Sequence, residues 1–144
     1  MKTFETNSYE ETVSLAQRIA EELPKGTVIA YIGGLGMGKT AFTTGLVKGL
    51  GIRADVSSPT FAICNTYIGK NDTLHHFDMY RVDGWDDLYS TGFFDFLESD
   101  DYIAVEWSEN IYGALPDDTL IVEIEKSGEN ARCFKIYKKS EEEK

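Results

Sequence analysis

The sequence predicts an α/β domain in three layers, a mainly parallel sheet with helices on both faces and an antiparallel hairpin at one edge. Three observations carry this reading. Thr27–Ile32 (TVIAYI) and Tyr102–Trp107 (YIAVEW) are short apolar runs of the kind that parallel sheets bury on both faces. Around them lie stretches whose apolar residues recur at helical spacing. A glycine-rich segment, Gly33–Thr40, joins the first run to a helix.

In chain order, Ser8-Tyr9-Glu10-Glu11 has the S-x-x-E form of a capping box. The helix it opens places Val13, Ala16, Ala20 and Leu23 on one face, and Pro24-Lys25-Gly26 stops it. After the strand at Thr27–Ile32 and its glycines, Ala41–Leu50 reads as a helix, with Phe42, Leu46 and Leu50 at i, i+4, i+8. Phe61–Ile68 and Thr73–Phe77 read as strands joined by the turn-rich Gly69-Lys70-Asn71-Asp72, hence the hairpin. Asp86–Leu97 reads as a short helix interrupted by Gly92. After the strand ending at Trp107, Thr119–Glu125 and Arg132–Tyr137 alternate as strands around the turn Lys126–Asn130. A charged tail, Lys138–Lys144, is expected to fray.

The chain has 144 residues, of which 42% are hydrophobic and 12% aromatic, enough for one folded core, so residues 1–144 read as a single domain. No stretch approaches the ~18 consecutive apolar residues needed to span a membrane. The first twelve residues are polar and acidic where a secretory signal is apolar, so a cytoplasmic location is expected. The net charge of −11 repels phosphate backbones and anionic lipid alike. A nucleic-acid role would therefore run through a partner. Cys64 and Cys133 are isolated and read as reduced thiols without zinc-site spacing.

Chemistry concentrates in Gly33-Gly34-Leu35-Gly36-Met37-Gly38-Lys39-Thr40, a full match to the phosphate-loop pattern G-x-x-x-x-G-K-[ST]. Glycines let successive N–H groups turn inward to cradle an anion, and the positive end of the following helix adds attraction. Gly33, Gly36, Met37, Gly38, Lys39, Thr40 and Ala41 are thus candidate nucleotide-binding residues. Lys39 would bridge the β- and γ-phosphates of ATP, with the Thr40 hydroxyl on Mg²⁺. A Mg²⁺ ion also wants a carboxylate at a nearby strand end. Glu106, closing YIAVEW, and Asp78, in His76-Phe77-Asp78-Met79-Tyr80-Arg81, both qualify, although either reads equally as a solvated strand-end acid. In Ser58-Pro59-Thr60, which is otherwise an ordinary Ser-Pro turn, the hydroxyl of Thr60 stands where nucleotide-sensing switches stand. Arg81 reads as structural or phosphate-contacting, Trp85 and Trp107 as packing residues, and His75 as a strand residue without chemistry.

In this order, GGLGMGKT, SPTF, HFDMYR and VEW together closely resemble the TsaE family, as does the segment from Asp87-Leu88 to Gly92. The resemblance covers about Ser8 to Ile111 and departs at Gly34, where the family usually carries an acid. It implies a P-loop ATPase needed for threonylcarbamoyladenosine next to the anticodon of tRNAs. It also implies a TsaB–TsaD heterodimer as partner, with TsaD transferring the carbamoyl group and tRNA reached only through the partners. By resemblance, Lys39 and the loop amides hold the triphosphate, Thr40 and Glu106 hold Mg²⁺, and Asp78 assists the metal or the attacking water. Thr60 senses the γ-phosphate and Tyr9 lies near the base. Beyond Ile111 no motif is recognised.

Other classes fit less well. A small-molecule kinase needs arginines to clamp its substrate, and this chain has only Arg18, Arg53, Arg81 and Arg132. A GTPase needs an N-K-x-D guanine reader, which is missing. A nucleotide-binding scaffold without turnover is compatible with Thr40, Asp78 and Glu106.

Overall fold

The computed structural model of the chain describes residues 1–33, 38–57, 59 and 63–142. Seven strands form one sheet: β1 (Lys2–Thr6), β2 (Val28–Ile32), β3 (Cys64–Ile68), β4 (Thr73–Asp78), β5 (Tyr102–Glu106), β6 (Leu120–Lys126) and β7 (Arg132–Lys138). Their spatial order is β1-β7-β6-β2-β5-β4-β3. The four central strands run parallel, β6 with β2, β2 with β5 and β5 with β4. The expected hairpin is β3–β4, with Cys64 opposite Phe77. The other edge is antiparallel too, β6 with β7 and β7 with β1.

Strand alternation sorts the core onto two faces. Ile29 and Tyr31 of β2 and Tyr102 and Ala104 of β5 pack with α1 (Tyr9–Ala20) and α2 (Lys39–Gly49). Val28, Ala30, Ile103 and Val105 point the other way. There they meet α3 (Trp85–Ser90), α4 (Phe93–Leu97) and the 3₁₀ segment Ser108–Ala114. The result is the three-layer α/β arrangement expected from the sequence.

Two elements differ from expectation, and a third goes further than expected. β1 has little strand signal, because only Phe4 and Thr6 are withdrawn from solvent and its pairing comes from β7 at the far end of the chain. The interruption expected at Gly92 is a full break, with separate helices at Trp85–Ser90 and Phe93–Leu97 and Gly92 at φ 86° as the left-handed hinge between them. Where fraying was expected, Lys138 closes β7 and Lys139–Glu141 form a 3₁₀ turn, with Lys139 Nζ donating to Leu115 O at 2.8 Å. At the start of α1, Ser8 Oγ accepts from Glu11 N at 3.1 Å, while Glu11 Oε1 reaches one residue further back than a capping box requires, to Asn7 N at 3.2 Å.

α1 and α2 approach so closely that small residues are required between them. A Cβ on Gly45 would lie 2.3 Å from Val13 O and 2.5 Å from Ala16 Cβ; one on Gly49 would lie 2.5 Å from Gln17 O. Helix propensity alone would favour alanine over glycine by about 1 kcal/mol. The clash with backbone oxygen decides the sign, because α1 cannot move away without uncovering the core of that face. Gly45→Ala is therefore expected to lose about 1–3 kcal/mol of stability. Gly113, where an added Cβ meets nothing within 4 Å, serves as control, and Gly113→Ala should be near neutral. Urea-unfolding midpoints of the two variants check both.

Candidate nucleotide site

The carboxyl ends of parallel strands are where a βα fold opens toward ligand, since each chain there leaves the sheet for a helix. β2 ends at Ile32, and Gly33, at φ 153°, follows it. A Cβ there would stand 2.7 Å from Ile124 O of β6, so the chain can leave the strand at this point only as glycine. Gly38, at φ 103° and ψ 12°, caps α2, a left-handed conformation that glycine adopts without cost. Between them, Gly36 and Met37 lie outside the described residues, as does Thr60 of the Ser-Pro-Thr segment.

Lys39, the first residue of α2, is only 6% exposed. Its Nζ sits 5.6 Å from the centroid of the Trp107 ring. Among the described residues no carboxylate lies within ion-pair distance of it. The carbonyl of Lys39 accepts from Thr43 Oγ1 at 2.9 Å, which leaves Thr43 free to accept from the Tyr31 hydroxyl at 2.7 Å. The first turn of α2 is thereby tied to β2 beneath it. Burial, more than any other cause, pushes the Tyr31 phenol far above its ordinary range, so it stays a neutral donor.

β5 delivers Glu106 to the same edge, on the face shared with α1 and α2. Its Oε2 is hydrogen-bonded to His76 Nε2 at 2.6 Å, and both side chains are buried. Asp78 stands opposite Glu106 in the β4–β5 register, and its Oδ1 accepts from Tyr80 N at 2.9 Å. Directly after Glu106 the chain turns through Trp107 at φ 57°, ψ 39°, the one non-glycine residue with positive φ among those described. Left-handed backbone at a bulky residue costs roughly 1–2 kcal/mol. Ser108 Oγ then donates to Tyr31 O at 2.7 Å, fixing the turn against β2.

Gly38, Lys39 and Glu106 border a cleft of about 720 Å³, within the range of small-molecule sites. Gly38, Lys39, Thr40, Ala41 and Glu106 form its floor. Asn7, Ser8, Tyr9, Glu10 and Thr12, at the start of α1, form one wall. Tyr9 is 57% exposed there. Asn130 and Arg132, from the β6–β7 connection, form the other. Lys39, Thr40, Ala41, Glu106, Gly38 and Tyr9, named from sequence, thus meet around one cavity. Asp78 neighbours Glu106 without lining the cavity.

Sequence reasoning does not single out three of the residues at the site. His76 stands in the sequence only as part of a motif, yet it is the partner of Glu106, and its Nδ1 is buried without a hydrogen bond among the described residues. Asn130 and Arg132 follow a stretch without motif, and only the return of β7 beside β6 brings them to the cleft. Arg132 Nη1 donates to Ala131 O at 2.9 Å, whereas its buried Nε has no partner among the described residues. His75, expected to be without chemistry, joins layers: it bridges Thr66 and Asp101 and stacks on Phe96 with ring centroids 3.7 Å apart. Arg81 is exposed.

Comparison of the sequence with known proteins points to one family. A family model described as "Threonylcarbamoyl adenosine biosynthesis protein TsaE" matches residues 6–134. A protein of Aquifex aeolicus named tRNA threonylcarbamoyladenosine biosynthesis protein TsaE is 40% identical over 134 residues, covering 92% of each chain. Its namesake in Bacillus subtilis is 36% identical, over 85% of this chain and 77% of its own. That of Rickettsia felis is 35% identical, over 94% and 80%. A crystal structure of Bacillus subtilis YdiB superposes with a TM-score of 0.76 at 32% identity, covering 92% of this chain and 82% of that one. With the matched segment running from the end of β1 into β7 and the same fold in a solved relative, this chain belongs to the TsaE family.

Proposed function

We propose that this chain is a Mg²⁺-dependent ATPase subunit needed to make threonylcarbamoyladenosine next to the anticodon of tRNA, and that it works with a TsaB–TsaD heterodimer. The observation that carries the nucleotide part is Lys39: a buried cation at a helix N-terminus, facing a cleft, with no acid beside it among the described residues. Burying an unpaired charge is costly, and an anionic ligand that enters the cleft removes the cost. Polyphosphate fits, because the positive N-terminal end of α2 reinforces Lys39. The biosynthetic role is the one in the relatives' names.

The donor set at the floor suits Mg²⁺, a hard cation that takes oxygen ligands from one or two protein groups plus phosphate and water. The Thr40 hydroxyl and the Glu106 carboxylate would hold it. When bound, the ion neutralises charge that develops on the β- and γ-phosphate oxygens. His76 holds the Glu106 carboxylate through its Oε2, at the edge of the cleft that Glu106 lines. Asp78, one strand over, orients the attacking water or assists the metal. The Lys39 ammonium lies over the Trp107 ring, and the Tyr31–Thr43 brace ties the Lys39 carbonyl to β2. Tyr9 and Asn130, which also line the cleft, would flank the base, and Arg132 adds a second cation beside Gly38. A chain of net charge −11 leaves tRNA to its partners.

Hydrolysis by the purified chain, alone and with TsaB–TsaD, tests the reading. Weak turnover that rises with the pair is expected, and Asp78→Ala should lower it about a hundredfold while nucleotide still binds. Lys39→Ala should weaken nucleotide binding by about 10–100-fold, the worth of one charge-assisted hydrogen bond in a buried site. Unchanged binding in Lys39→Ala would refute the phosphate assignment. Arg132→Ala should weaken binding about tenfold, with Arg132→Lys intermediate because it keeps the charge and loses the planar fork. Calorimetric titration with ADP and with ATP reads both series.

A further inference from the structure

The layer formed by α3, α4 and the 3₁₀ segment has a charge pattern unlike the rest of the molecule. Between Arg81 and Lys126 there is no lysine or arginine, while thirteen of the chain's 25 acidic residues fall there. On this acidic ground stand aromatic side chains that the fold does not bury. Trp85 is 57% exposed and Tyr89 65%, and both pack on Phe94, with ring centroids 6.2 and 4.8 Å apart. Tyr80, in the connection leading into α3, is 61% exposed. A shallow groove of about 190 Å³ runs between Trp85 and Leu88 on one side and Ile111 and Tyr112 on the other.

Neighbouring exposed aromatics set among acids are unusual on a chain that stays alone in water. Trp and Tyr in such a patch are what protein interfaces use as anchors. The charge decides what covers them. Nucleic acid and anionic lipid are repelled, and a second copy would bring the same acidic face against this one. We propose that this face is the docking surface for a partner protein whose contacting surface is basic, with Trp85 and Tyr89 as anchors and Asp86 and Asp87 as the charged rim. The inference rests on the partnership proposed above and names the part of this chain that makes it; it does not depend on nucleotide chemistry.

The surface also reaches the cleft. Asn110 Nδ2, in the 3₁₀ segment, donates to Met79 O at 2.9 Å and to Tyr80 O at 3.3 Å. Tyr80 packs on Trp107 with centroids 4.8 Å apart, and Trp107 lies under Lys39 Nζ. A partner on this face therefore sits on the two connections that follow Asp78 and Glu106.

The test titrates purified TsaB–TsaD heterodimer against the full chain in three forms: wild type, Trp85→Ala with Tyr89→Ala, and Asp86→Lys with Asp87→Lys. Thermal melts and ADP affinity of the isolated chains serve as controls, since none of the four residues lines the nucleotide cleft. Both double variants should keep their fold and ADP affinity and bind the pair about tenfold or more weakly. Wild-type affinity should fall steeply as salt is raised, since exposed charge pairs are screened. Wild-type affinity for the pair in both variants would overturn this surface while leaving the partnership standing. A wild-type chain that does not bind the pair would overturn both, with ADP binding still reporting on the nucleotide site. Tight binding of tRNA, or self-association abolished in the same variants, would overturn the basic-protein assignment.

Discussion

Lys39 is a cation held almost out of water at the carboxyl edge of a parallel sheet, and the architecture around it follows from keeping it there. Its helix must begin at once after the loop, so Gly38 takes a left-handed conformation closed to other side chains at low cost. That helix must also stay seated, which the Tyr31–Thr43–Lys39 hydrogen-bond chain and the close α1–α2 approach at Gly45 and Gly49 achieve together. The ring of Trp107 supplies a face for the ammonium where an acid would have neutralised it. A carboxylate in that place would satisfy Lys39 permanently and remove its attraction for an anion.

The same constraint governs Glu106. A buried carboxylate needs a partner, and His76 on the adjacent strand provides one from behind, leaving the cleft side open. Parallel pairing of β4 with β5 sets this up, because it aligns the strands' carboxyl ends and places Asp78 opposite Glu106. The strained turn at Trp107 belongs to the same arrangement. Backbone strain of this kind persists only where surroundings over-determine it, and here Ser108, Tyr31, Tyr80 and Lys39 all hold the residue in place. Strain beside a cleft and an acidic aromatic face beyond it are two ends of one connected segment.

Much of this was legible from residues in order. The glycine loop announces itself because phosphate needs bare N–H groups at fixed spacing, and YIAVEW shows its terminal acid against apolar neighbours. The hairpin at Gly69–Asp72 and the break at Gly92 were readable because turns are local. β1 was not, since a polar edge strand acquires its identity only from the partner it pairs with. Nor were Asn130 and Arg132, which no spacing rule connects with a loop so far upstream.

The sequence by itself determined the local chemistry: a phosphate-loop pattern, strand-end acids, an acidic chain and the motifs that mark the family. These are properties of neighbours along the chain, where side-chain period and backbone freedom act over a few residues. Only the tertiary structure decided which acid faces the cleft, which histidine stands behind it, which arginine closes the far wall and which aromatics remain in water. Those follow from strand order and register, and register is settled by the packing of both sheet faces at once.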